Sequence, residues 1–123
     1  MRWIVDGMNV IGSRPDGWWR DRDRAMAGLV RRLERWKPAE DDVTVVFERP
    51  ASPPIESSVI TVTHAPRAKA NAADDEIVRL VRNADDPASL CVVSSDRDLV
   101  DRVRALGAAV HPAQRLRQVI DRR

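Results

Sequence analysis

Val43-Thr44-Val45-Val46-Phe47 is β-branched at four of its five positions and nearly unbroken in its hydrophobicity. A strand with one wet face alternates polar and apolar residues. This one does not, so both of its faces are covered, which is the mark of a strand in a parallel sheet with helices above and below. On its amino-terminal side, Met26, Leu29, Val30, Leu33 and Trp36 recur at three- and four-residue steps while arginines fill the other face. That spacing predicts an amphipathic helix over about 20–36. Before it, Trp3-Ile4-Val5 is a short apolar strand, followed by Asp-Gly and a turn-rich stretch through Gly17. On the carboxyl side, 49–58 is a proline-rich loop and 59–63 another strand. A helix from about Ala73 carries Ile77, Leu80, Val81 and Ala84 on one side, with acids in its first turn. Leu90-Cys91-Val92-Val93 is again a buried-type strand, followed by a helix over about 98–106 that Gly107 ends. A short strand at Ala109-Val110-His111 and a last helix marked by Leu116, Val119 and Ile120 complete the alternation. Strands alternating with helices predict an α/β fold, a three-layer α/β/α sandwich on a mostly parallel sheet.

Composition narrows the class. The chain has 123 residues, 43% hydrophobic and 33% charged, which suits one packed domain over 1–123 and excludes a disordered chain. A single cysteine forms no internal disulfide, and with no Cys/His cluster a zinc ribbon is excluded too. No apolar run nears the ~18 residues of a membrane span, and no basic-then-apolar leader opens the chain. The expectation is a cytoplasmic protein with no membrane partner. Net charge is only +2, but of 21 basic residues only Lys37 and Lys69 are lysines. Arginine's planar fork suits phosphate; an Arg- and Ala-rich composition equally fits a GC-rich genome.

The acids fall in a pattern. Asp6 follows the first strand, Glu48 the second, and Asp96 the Leu90–Val93 strand after two serines, while Asp74 opens a helix. Ligands bind beyond the carboxyl ends of strands in an open parallel sheet. Carboxylates gathered there repel one another, and a divalent cation relieves the conflict. Oxygen donors suit Mg²⁺ or Mn²⁺, ions that polarise phosphoryl oxygens and acidify water. An aspartate after one strand more often caps or turns; three at one sheet edge are harder to dismiss. Asp98 also reads as the N-cap of its helix, and Asp75 and Glu76 read as acids favoured by the helix dipole.

Three segments carry a resemblance. Val5-Asp6-Gly7-Met8-Asn9-Val10-Ile11-Gly12 resembles the opening motif of the NYN domain family, in particular its YacP-like bacterial branch within the PIN-like nucleases. Ala73-Asp74-Asp75-Glu76-Ile77 is similar to the family's alanine-aspartate motif at a helix start. Ser94-Ser95-Asp96-Arg97-Asp98-Leu99 is similar to its serine-aspartate motif after a strand. The resemblance implies a PIN-like fold and metal-dependent cleavage of RNA, with Mg²⁺ or Mn²⁺ held by acids. It makes Asp6, Asp74 and Asp96 the catalytic and metal-site carboxylates, and Asp98 an additional or water-mediated ligand. Asn9 would orient Asp6 or meet a substrate phosphate. Glu48 stands where the family often has an aspartate, on a longer arm. Single-stranded RNA is the implied partner, with the ribosome a second one, and the assembly state is monomer or homodimer.

Within the third motif Ser95 and Arg97, and outside the motifs Arg14 and Lys69, are candidate substrate contacts, with Arg67 beside Lys69. Arg14, Trp18, Trp19, Arg20 and Arg22 combine arginine with aromatic rings, the pairing that grips single-stranded RNA. The competing reading has one tryptophan stapling the helix into the core and the other on the surface. His64, His111 and Cys91 read as structural. Two rival functions remain: a non-catalytic NYN-like module binding RNA or the ribosome, and another acid-edged α/β enzyme. A haloacid-dehalogenase phosphatase wants Asp-x-Asp where Met8 stands, and a phosphorelay receiver wants a late lysine the chain lacks.

Overall fold

The computed structural model describes residues 1–67 and 69–122. Five strands, β1 (Arg2–Asp6), β2 (Asp42–Phe47), β3 (Thr61–His64), β4 (Leu90–Val93) and β5 (Ala109–His111), form one sheet in the order β3-β2-β1-β4-β5. Every neighbouring pair is parallel, and β1 sits in the middle, with Ile4 opposite Thr44 on one side and Val92 on the other. The helices are α1 (Gly7–Gly12), α2 (Arg22–Trp36), α3 (Ala72–Arg82), α4 (Arg97–Ala105) and α5 (Ala113–Asp121), with short 3₁₀ turns at Trp18–Arg20 and Pro87–Ser89.

The unbroken hydrophobicity of the strands is explained by where alternate residues go. Val5, Val43, Val45, Phe47 and Val93 point to one face, where α1, α2 and α5 bring Val10, Ile11, Met26, Leu29, Val30, Leu33, Leu116 and Ile120. Ile4, Val46, Leu90 and Val92 point to the other, where α3 and α4 bring Ile77, Val78, Val81, Leu99 and Val103. Period-2 alternation thus divides each apolar strand between two buried cores. This is the expected three-layer α/β/α sandwich.

The strand order fixes where a site can form. From β1 the chain moves outward through β2 to β3, then returns past β1 to lay down β4 and β5 on the other side. The direction of winding reverses between β1 and β4, which opens a crevice beyond their carboxyl ends.

Some elements differ from expectation at their boundaries. The stretch after Asp6, expected as turn, begins as a helix of one and a half turns. It can approach the sheet because residue 7 is glycine: a Cβ there would lie 2.5 Å from the Phe47 ring. Asp21 caps α2 by accepting from the Arg24 N–H at 3.1 Å, so the helix starts at Arg22 rather than near Arg20. The β3 strand lies at 61–64 rather than 59–63.

Candidate acidic site at the carboxyl edge of the sheet

Asp6 is the last residue of β1, and Asp96 leads into α4 just beyond β4. They meet across the crevice through Ser94. The buried Ser94 hydroxyl donates to Asp6 Oδ2 at 2.9 Å and accepts from the Asp96 backbone N–H at 3.1 Å. Asp96 in turn accepts from the Leu99 N–H at 3.0 Å through Oδ1, so it is the N-cap of α4. The cap position contemplated for Asp98 belongs to Asp96, and Asp98 lies exposed in the first turn of the helix. Asn9 closes the crevice on its outer side: its side-chain oxygen accepts from the Ser95 N–H at 2.8 Å. Ser95 Oγ accepts from the Ala113 N–H at 3.0 Å, anchoring the same loop to α5. Ser95 thus fixes the loop's geometry; the Asn9 side chain holds that loop, while the Asn9 backbone N–H donates to the Asp6 carboxyl.

Asp74 approaches from the other face of the sheet. It lies half-buried in the first turn of α3, whose preceding Asn71 adopts a left-handed φ of 60°. The charges on these acids act on one another. Burial pushes the Asp6 carboxyl up to about 7; the Ser94 hydrogen bond and the Asn9 backbone pull it down, and the charges of Asp74 and Asp96 push it up. Burial also raises Asp74 to about 6, with Asp96, Glu48 and Asp75 adding to the rise and Arg102 opposing it. Asp6, Asp74, Asp96 and Glu48 thus share one electrostatic neighbourhood, drawn from the ends of β1, β2 and β4 and the start of α3. Among the described residues no three His, Cys, Asp or Glu side chains stand together as a preformed metal cage. The donors are nonetheless hard carboxylate oxygens whose mutual repulsion a divalent cation offsets, so their chemistry fits Mg²⁺ or Mn²⁺.

Other candidates lie elsewhere. Arg14 forms an ion pair with Asp121 at the end of α5, and it lines a cavity of about 520 Å³ along α2. Asp75 is exposed, hydrogen-bonded to Arg102 at 3.2 Å and 3.9 Å from Lys69. Glu76 is buried and held by both guanidinium arms of Arg79 at 2.7 and 2.8 Å. It lines a cavity of about 430 Å³ toward the amino ends of the strands, away from the acids. Arg97 is exposed at the first position of α4, directly after Asp96. His64 Nδ1 lies 2.8 Å from the Ala65 carbonyl, His111 stands edge-on to Trp3, and Cys91 is buried in β4. Trp18 packs partly into the core while Trp19 is 57% exposed. The residue whose part sequence reading missed is Ser94. Its signal was present: a serine between a buried strand and an acid, at a position where a buried hydroxyl needs partners.

A smaller cavity of about 160 Å³ opens beside Glu48, lined also by Met8, Arg22, Met26, Arg49, Lys69 and Ala70. Among the described residues no helix is long and apolar enough to cross a membrane.

Residues 3–123 match the family model described as the YacP-like NYN domain. Two solved structures of Rae1 (YacP) from Bacillus subtilis superpose on the chain with a TM-score of 0.76 at 23% identity. The W164L mutant structure is matched over 98% of this chain and 77% of its own, and the other structure over 99% and 76%. At that identity the likeness speaks for the fold. No curated protein matches the sequence.

Proposed function

We propose a reaction from one premise: the chain belongs to the YacP-like NYN domain family, a PIN-like nuclease family. The reading is a Mg²⁺- or Mn²⁺-dependent ribonuclease that hydrolyses phosphodiester bonds within single-stranded RNA. The observation that supports it is the buried Asp6 bridged through Ser94 to the Asp96 backbone, at the point where the sheet's winding reverses, with the charge of Asp74 also felt at Asp6.

Asp6, Asp74 and Asp96 would hold the cation, with Asp98 further out along α4. When bound, the ion supplies charge neutralisation, polarisation of a phosphoryl oxygen and a lowered pKa for the attacking water. The chain's own groups do the rest. Ser94 keeps Asp6 aimed into the crevice, and the Leu99 N–H fixes one oxygen of Asp96 while the other stays available. Asn9 and Ala113 lock the Ser95 loop, so Asp96 is held without help from substrate. Arg97, next to Asp96 in the chain, and Lys69, both exposed, would meet phosphate charge as the strand docks.

Purified protein is expected to cleave a single-stranded oligoribonucleotide when Mn²⁺ is added and to stop when it is chelated. Asp96→Asn should abolish cleavage while the circular dichroism spectrum stays native. Wild-type rates from Asp96→Asn would refute the assignment. RNA binding that needs no cation, with no cleavage under any condition, would favour the non-catalytic module instead.

A further inference from the structure

The cavity beside Glu48, whose lining residue Met8 stands two residues along the chain from Asp6, has a composition that hydrolysis alone does not require. Its floor is Met8 of α1 and Met26 of α2, and its rim carries Arg22, Arg49 and Lys69, with Glu48 toward the acidic site. All of these come from segments that end or begin at the carboxyl edge of the sheet. Arg22 links the cavity to a second feature. Its guanidinium lies 5.4 Å from the centre of the Trp18 ring, a cation–π stack, and Trp18 meets Trp19 edge-on at 6.0 Å. Trp19 turns outward, 57% exposed, although the chain has only four tryptophans and one phenylalanine. Large exposed aromatics beside cations, in line with a phosphate-handling site, are the arrangement by which proteins hold unpaired bases.

We propose that the Met8–Met26 cavity and the exposed Trp19 ring form a base-holding track for the RNA strand next to the bond that is cut. The inference rests on the ribonuclease reading above for the strand's presence at the acids, and adds which nucleotides are gripped and how. One base stacks on Trp19, and its neighbour enters the methionine-floored cavity, whose small volume admits a ring system but not a whole nucleotide. Thioethers suit that role, because they adapt to purine and pyrimidine alike. The phosphates between run past Arg22, Arg49 and Lys69. The present partners of the last two are partly exposed carboxylates, Asp23 at 2.9 Å from Arg49 and Asp75 at 3.9 Å from Lys69, and exposed pairs of that kind are readily exchanged for phosphate. The track therefore prefers single-stranded over paired RNA, since a duplex keeps its bases stacked on one another.

The test uses the Asp96→Asn chain, so that the strand stays intact, and a short single-stranded oligoribonucleotide alongside the same strand with one abasic position moved along it. Tryptophan fluorescence should be quenched on binding. Trp19→Ala should remove most of that quench and weaken binding about tenfold, and Trp19→Phe should restore most of the affinity. An abasic residue at one or two adjacent positions should weaken binding to a similar extent. Arg22→Gln should lower the slope of log affinity against log salt by about 0.7, the signature of one lost phosphate contact on a single strand. If Trp19→Ala binds as tightly as the parent and every abasic strand binds alike, the track does not exist, even where wild-type protein cleaves with Mn²⁺. If quenching and abasic sensitivity hold but wild-type protein never cleaves, the track stands and the nuclease reading falls.

Discussion

Ser94 contributes one hydroxyl and two hydrogen bonds, giving its proton to Asp6 and taking one from the Asp96 backbone. Replacing it with alanine leaves the buried Asp6 carboxylate without its side-chain donor. Loss of a buried bond of this kind costs about 1–3 kcal/mol, so Ser94→Ala should lower the free energy of unfolding by that amount and reduce cleavage as Asp6 loses its aim. Equilibrium urea unfolding and initial rates check both halves. Asp6 itself works against the fold when no cation is present: it is 5% exposed, and its carboxyl is pushed up to about 7. At pH 7.5 the folded chain must hold a largely ionised, desolvated acid beside two others. Asp6→Asn keeps the shape and removes the charge, so the metal-free variant should melt several degrees above wild type at pH 7.5 while losing cleavage. A lower melting temperature would show that Asp6 is not under that electrostatic load. A residue that destabilises the empty protein while serving its chemistry is what a functional site looks like in thermodynamic terms.

At the level of elements, the sequence was most legible where one physical rule acted alone. The strand at 90–93 and the carboxyl end of α2 at Trp36 stand where hydrophobic runs and 3.6-residue periodicity placed them. The region after Asp6 was not, because propensity favours a turn at Asp-Gly while tertiary packing favours a helix. Val10 and Ile11, fully buried on the sheet, decide the contest for α1. Gly7 permits it. Gly7→Ala would drive a methyl into the Phe47 ring and to 3.1 Å from Val45, with no flexible chain end to yield. Overpacking of that sort costs about 1–3 kcal/mol, and here the strain falls on the residue next to Asp6. The expected result is a loss of stability together with a fall in cation affinity, measured by thermal melts and by calorimetric titration with Mn²⁺. The acids after the strands were legible for a similar reason, since their positions are backbone positions. Ser94's bridging and Glu76's clamp to Arg79 depend on side-chain directions across the fold, which spacing along the chain does not encode.

The whole molecule couples this edge to its stability through protons. Asp6 and Asp74 have folded pKa values of about 7 and about 6, both above the 3.8 of an unperturbed aspartate. The folded chain therefore holds these protons more tightly than the unfolded chain does. The stability they confer is complete below about pH 4 and is lost as pH rises through 6 and then 7. Asp23, Glu34, Asp41 and Glu76 behave in the opposite sense. Hydrogen bonds depress their pKa values, so their contribution is present above the ordinary carboxylate range and disappears only in acid. His111, lowered mainly by burial, also favours the higher pH, but only as pH climbs through the histidine range, and it is one group against two larger shifts. Between about pH 5 and 8 the two site acids dominate, and the metal-free protein should be most stable near pH 5 and lose several degrees of melting temperature by pH 8. On the proposed reading a divalent cation should invert the trend, because it would bind the ionised carboxylates and compete with the protons that relieve them. Melts in chelator and in millimolar Mn²⁺ at pH 5.5 and pH 8 should then show a small cation effect at the lower pH and a large one at the higher. Equal stabilisation at both, or a metal-free protein that is more stable at pH 8, would mean that the carboxylates at the ends of β1 and β4 and the start of α3 do not share the load that this geometry puts on them.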